Sequence, residues 1–213
     1  TGFINNDASM AIYEGSISLE VIAGLLNSKV AQYYLNLVNE SLNYTTGNIS
    51  SIPFILRNNA EVESVVNSCI NVSRTDWDSF EESWNFMKHP LLRNVSMLTE
   101  AFAQWKAECD DRFNQLKSNE EELNRIFIEI YGLQDELNPE VEDKEVTVRR
   151  ADLQRDIKSL LSYAVGCMCG RYSLDVEGLA YAGGEWDSSK YQSFIPDADN
   201  IIPITEEEYL GDD

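Results

Sequence analysis

The sequence predicts an α+β fold that is mainly α: a small N-terminal mixed module, then long antiparallel helices, then a loop-rich acidic tail. Three observations carry this. Apolar residues fall at strict seven-residue intervals from Val95 to Leu137, the mark of a long amphipathic helix. Short β-like stretches broken by Gly and Asn occupy much of the first sixty residues. After Gly170 the composition turns to Gly, Asp and aromatic residues with few helix signals. The expected segments are 1–72, 73–169 and 170–213.

Residues 3–17 alternate loosely and suit short strands. Ser18 is placed to cap a helix, with Glu20 in the first turn where it favours the helix dipole. The apolar stripe of Ile22, Leu25, Leu26, Val30, Tyr33, Tyr34 and Leu37 predicts one helix over 19–38. Residues 42–54 then read as strand, Gly-Asn turn, strand, closed by Pro53. A helix begins near Asn59 and runs through Val62, Val65, Val66 and Ile70. Residues 73–77 read as the entry to another, capped by Thr75 or Asp76. Trp77, Phe80, Trp84 and Phe86 are expected to pack as a satellite core, and His89-Pro90 ends that stretch.

The seven-residue series is Val95, Phe102, Cys109, Leu116, Leu123, Ile130 and Leu137, with Leu98, Trp105, Ile126 and Leu133 as companions. It predicts a helix of about forty residues packed as in a coiled coil. Asn138-Pro139 is the expected stop. A second helix over 147–169, with Leu153, Ile157, Leu160, Leu161, Ala164, Val165 and Met168 on one side, is its expected antiparallel partner. The remainder reads as ordered loops with a short strand at Ile201-Ile202.

Charge is unevenly placed. The formal net charge is −21. Residues 1–60 hold four acids against two bases, 94–145 fourteen against five, and 175–213 eleven against one. Only 146–174 is positive, at +3. The charge argues against a strong, autonomous electrostatic grip on nucleic acid by this piece alone, but not against a contact surface within the first sixty residues. The apolar runs are far shorter than the about 20 residues of a membrane span. The start has neither the basic region nor the apolar core of a signal peptide, so a cytoplasmic location is expected. The absent initiator Met suggests a piece of a longer protein.

Catalytic and metal-binding patterns are sparse. Cys69, Cys109, Cys167 and Cys169 lack zinc-site spacing and are expected to be reduced, packed thiols. His89 has no nucleophile or acid arranged near it in sequence and reads as structural. No phosphate-binding Gly loop occurs. Asp135 with Glu142-Asp143-Lys144 weakly matches the D…ExK pattern of metal-dependent nucleases. Residues 197–200 weakly match the start of a calcium loop.

Two sets of phrases carry a resemblance. The first is Leu25-Leu26-Asn27-Ser28-Lys29 on a helix, followed by Gly47-Asn48-Ile49-Ser50-Ser51-Ile52-Pro53. It resembles the target-recognition domains of restriction–modification enzymes. The second comprises Asp76-Trp77-Asp78-Ser79-Phe80-Glu81-Glu82-Ser83-Trp84, residues 123–137, residues 163–175 and Gly178-Leu179-Ala180-Tyr181-Ala182-Gly183-Gly184. Together they resemble the C-terminal half of the PglX-type adenine-specific DNA methyltransferases of bacteriophage-exclusion (BREX) systems, over nearly the whole chain.

The resemblance implies a full-length enzyme that moves a methyl group from S-adenosylmethionine to adenine N6. Such enzymes need an Asn/Asp-Pro-Pro-aromatic motif to hold the flipped base. Asn138-Pro139-Glu140 is the wrong match, so no catalytic residue and no cofactor site is expected in this chain, and the catalytic domain is expected to precede Thr1. Double-stranded DNA, met through the full-length enzyme, is the expected partner. The candidate DNA contacts are Lys29, Gln32, Asn43, Tyr44, Thr45, Thr46, Asn48 and Arg57, because amides can bond base edges while bases and hydroxyls bond phosphates. Asn48 and Thr46 also suit a turn, and Tyr44 a core. The alternative is an acidic helical module that binds other defence-system proteins.

Overall fold

The computed structural model describes residues 11–13, 15–38, 44–55 and 57–196. Six α-helices follow in order: α1 Leu19–Leu26, α2 Lys29–Val38, α3 Thr46–Ser50, α4 Asn59–Trp77, α5 Leu98–Tyr131 and α6 Leu153–Met168. A short 3-10 helix spans Ser188–Lys190. No strand occurs among the described residues. Of the short strands expected over 3–17, none forms at the described residues 11–13 and 15–17; the rest of that stretch and the strand expected at 201–202 lie outside the described residues.

Two compact units form, each from two stretches of chain: Thr1–Arg74 with Asp111–Val148, and Thr75–Asp110 with Arg149–Asp213. In the first unit, Val21 and Leu25 of α1, Val30, Ala31 and Leu35 of α2, and Val62 and Val66 of α4 bury against Leu123, Ile126 and Phe127 of α5. Gly24 permits the close approach of α1 to α4. A Cβ there would stand 2.9 Å from Val66 Cγ2 and 3.1 Å from Val62 Cγ1. Beyond α5, Val141, Val146 and Val148 pack on Phe113 and Leu116.

Ser18 caps α1 as expected, its hydroxyl accepting the Val21 N–H. The single helix expected over 19–38 is broken at Asn27-Ser28. Ser28 is buried and starts α2, its hydroxyl donating to Leu25 O at 2.7 Å while accepting the Ala31 N–H. The strand–turn–strand expected over 42–54 is replaced, in its described part, by α3. Thr45 and Asn48 form a capping box around its first turn, which satisfies two backbone donors that a hairpin would have bonded elsewhere. Ile49 and Ile52 are three apart, a helical spacing, and both belong to the core.

The helix α4 runs through residues 73–77, where a new start was expected. α5 stops at Tyr131 rather than at Asn138. Gly132, with φ +67°, ends it. The Leu133 N–H bonds Ile128 O at 3.0 Å and the Gly132 N–H bonds Glu129 O at 3.2 Å, the paired bonds of a Schellman motif.

In the second unit, Phe80, Leu91, Trp105 and Cys109 form one core, and Phe86, Tyr163, Cys167 and Tyr172 another. Tyr163 and Tyr172 stack at 4.8 Å, and Phe86 meets both edge-on. The expected aromatic cluster is therefore divided. Phe80 and Phe86 are buried in separate cores, whereas Trp77 is half exposed and Trp84 is 100% exposed. α6 starts at Leu153, capped by Asp152, instead of near Thr147. His89 is buried, its Nδ1 accepting the Leu91 N–H at 3.2 Å. Burial lowers its pKa to about 4. The described part of the tail is loop apart from the 3-10 helix at Ser188–Lys190. Trp186 stacks on Tyr191 at 4.5 Å, and the Tyr191 hydroxyl donates to Gly170 O.

Candidate nucleic-acid interface

Residues 41–60 hold one base, Arg57, and no acid. In a chain of net charge −21 an acid-free stretch of this length repels phosphate less than the acidic middle and tail do. Its described part is fastened from below. Ile49, Ile52 and Phe54 pack on the core of the first unit. The Tyr131 hydroxyl donates to Pro53 O and accepts the Ile55 N–H at 3.3 Å. Tyr34 lies against Tyr131, with ring centroids 5.9 Å apart. Tyr44, Thr45, Thr46 and Arg57 are exposed, as are Pro53 and Ile55.

The candidate residues differ in what already holds them. Thr45 and Asn48 bond each other, and the Asn48 Nδ2 reaches Val38 O at 3.5 Å. These two residues build α3. Tyr44 and Thr46 flank Thr45 and are exposed. Gln32 is exposed on α2. Lys29 opens α2, nine residues before Val38, which places it about 14 Å from the α3 end of that helix. Its ammonium donates to Glu140 O and its backbone N–H to Asn124 Oδ1 at 2.9 Å. The structure thus groups Tyr44, Thr45, Thr46 and Asn48, and holds Lys29 apart from them. Asn43 lies outside the described residues.

Two positioning residues escape a reading by composition. Asn124 is 4% exposed on α5, where its Oδ1 accepts the Lys29 N–H while its Nδ2 donates to Pro139 O at 3.1 Å. A buried amide that bridges two chain segments is a structural anchor. The only signal in the sequence was a polar residue between Leu123 and Ile126 on an apolar face. Tyr131 gave no signal, because it fell inside the helix expected to run to Asn138.

The weaker chemical patterns are not assembled. The Lys144 ammonium pairs with Glu142 at 2.7 Å on the surface, and Lys117 pairs with Asp143 at 2.7 Å. Among the described residues no group of three or more His, Cys, Asp or Glu could hold a metal ion. Residues 197–200 lie outside them. None of their helices is long and apolar enough to cross a membrane.

No family model matches the chain. Along its whole length it is 47% identical, over 220 residues, to the adenine-specific methyltransferase PglX of Lacticaseibacillus casei (strain Zhang), of which it covers 18%. It is 31% identical, over 240 residues, to the adenine-specific methyltransferase BrxX of Escherichia coli O9:H4 (strain HS), of which it covers 20%. The chain spans about a fifth of the length of these curated relatives.

Proposed function

From its end-to-end match to one segment of the PglX and BrxX adenine-specific methyltransferases, we propose that this chain is the target-recognition and spacer portion of a site-specific DNA (adenine-N6) methyltransferase of a phage-defence system. Residues 1–72 contribute the readout of the DNA site, 73–169 the spacer with its coiled-coil-like helix, and 170–213 the acidic tail. Methyl transfer and S-adenosylmethionine binding are assigned to other parts of the parent protein. Other defence-system proteins are its further partners.

One observation supports the readout role above the others. In the acid-free stretch 41–60, Tyr44, Thr45, Thr46 and Arg57 are exposed while Ile49, Ile52 and Phe54 pack on the core. Hydroxyls and a guanidinium on an anchored segment suit phosphate and base-edge contact. The test is the triple substitution Tyr44→Ala, Thr46→Ala and Arg57→Ala in the full-length enzyme, which spares the Thr45–Asn48 cap. Methylation of the native site falls tenfold or more if these residues read DNA. Unchanged methylation and unchanged DNA affinity would remove the proposal.

A second reading, a protein-interaction module, draws on Trp84, which is fully exposed. Exposed tryptophans are frequent anchors of protein interfaces. Trp84→Ala should then abolish capture of a defence-system partner while methylation persists.

A further inference from the structure

A cavity of about 390 Å³ opens in the first unit among α1, α4 and α5. This is within the size range of small-ligand sites, which often lie between helices. Its floor is aliphatic: Val66, Leu116 and Leu123 are each buried. Gly24 forms part of the wall, and the absence of a side chain there keeps α1 and α4 close. Asn27, Arg74 and Thr147 are exposed residues at the mouth.

Between floor and mouth stands Glu120, half-buried on α5. Among the described residues it makes no ion pair. The charged and titratable groups that face it are few. Cys69 of α4 is pushed up to about 11, mainly by burial and then by the Glu120 charge, so at neutral pH it is a neutral thiol. Glu145 adds a second negative charge nearby. Arg74 is exposed and its field is screened by solvent. Burial, and then Glu145, raises Glu120 to about 6. At neutral pH the cavity therefore holds a carboxylate without a counter-charge above an aliphatic floor.

We propose that this cavity binds a small organic amine, its apolar body seated on Val66, Leu116 and Leu123 and its ammonium paired with Glu120. The proposal does not rest on the DNA-readout reading. The mechanism is simple complementarity: a ligand ammonium supplies the cation that the half-buried carboxylate lacks, and the apolar body leaves water.

The test uses the full chain with benzylamine, benzyl alcohol and a lysine-containing peptide as probes, titrated by calorimetry and by saturation-transfer NMR. Benzylammonium should bind at least tenfold more tightly than benzyl alcohol at pH 7.5. Glu120→Gln should remove that preference. The preference should also shrink as pH falls through about 6 in the parent chain and be flat with pH in the variant. Ser73→Leu, which narrows the cavity without touching the carboxylate, should weaken both small probes together. Equal binding of amine and alcohol, a preference that survives Glu120→Gln, or tighter binding of the lysine peptide than of benzylamine would each overturn the proposal.

Discussion

The indole N–H of Trp105 donates to Asp156 Oδ2 at 3.0 Å, with both residues buried in the second unit. Asp156 also accepts the Asp152 N–H at 3.0 Å and the Arg155 Nε–H at 2.8 Å. A buried carboxylate with several donors is stable only while all are kept. Asp156→Ala should cost about 2–4 kcal/mol, because it leaves buried donors without an acceptor. Urea denaturation at pH 7.5 checks this, and a loss below about 0.5 kcal/mol would contradict it.

Stability should respond to pH in two opposed ways. His89 is lowered to about 4 by burial, from 6.5. The unfolded chain therefore binds its proton first, and stability is lost as pH falls from about 6.5 towards 4. Glu120 is raised from 4.5 to about 6. The folded chain binds that proton first, so its ionisation penalty fades as pH falls through the same region. His89→Asn should flatten the acid-side decline in melting temperature. Glu120→Gln should raise stability at pH 7.5 by about 1 kcal/mol, discounted for its partial exposure, with the gain vanishing near pH 4.5. Parallel melting curves for parent and variants across pH 4.5–7.5 would refute both assignments.

Gly132 ends α5 in the left-handed region, and a Cβ there would meet nothing within 4 Å. Its role is thus conformational. Gly132→Ala should cost about 1 kcal/mol, and Gly132→Asn less, because Asn tolerates this region better. Gly166 provides the contrast. Its φ is ordinary, but a Cβ would stand 2.6 Å from Tyr172 Cδ2, so Gly166→Ala should disturb the Tyr163–Tyr172 stack. Near-UV circular dichroism should change for Gly166→Ala and not for Gly132→Ala.

Tyr131→Phe should free the segment that carries the candidate interface. Its hydroxyl is bonded to both Pro53 and Ile55. Loss of these bonds should cost about 1 kcal/mol and speed hydrogen exchange at the Ile55 amide by about fivefold or more. Unaltered exchange there would show that the apolar contacts of Ile52 and Phe54 suffice.

Elements set by local rules were legible in the sequence. Ser18 capped α1, and the seven-residue series identified most of α5, because both signals are short-range. Three errors share one physical cause. At Asn27-Ser28, at Thr45–Asn48 and at Gly132, side chains or glycine satisfy backbone groups locally and redirect the chain. Apolar periodicity alone does not register such events. Asp152 likewise fixed the start of α6 six residues after the expected position. Burial was harder still. Nothing near Trp84 in the sequence distinguishes it from Phe80 or Phe86, yet it is fully exposed. The residues of the candidate interface could be chosen by chemical type, but their internal duties could not. Lys29 is held by Glu140, and Asn48 by Thr45, through contacts that only folding creates.

The four tryptophans also make the chain its own spectroscopic instrument. Trp105 is 2% exposed, whereas Trp84 is wholly in solvent. Trp105 emission should be blue-shifted and shielded from acrylamide, and Trp84 emission red and readily quenched. A red shift of the shielded fraction would report loosening of the core around Asp156. Protection of the quenchable fraction would instead report a molecule settling over Trp84 or the half-exposed Trp77 and Trp186, so one titration distinguishes unfolding from occupancy without any attached dye.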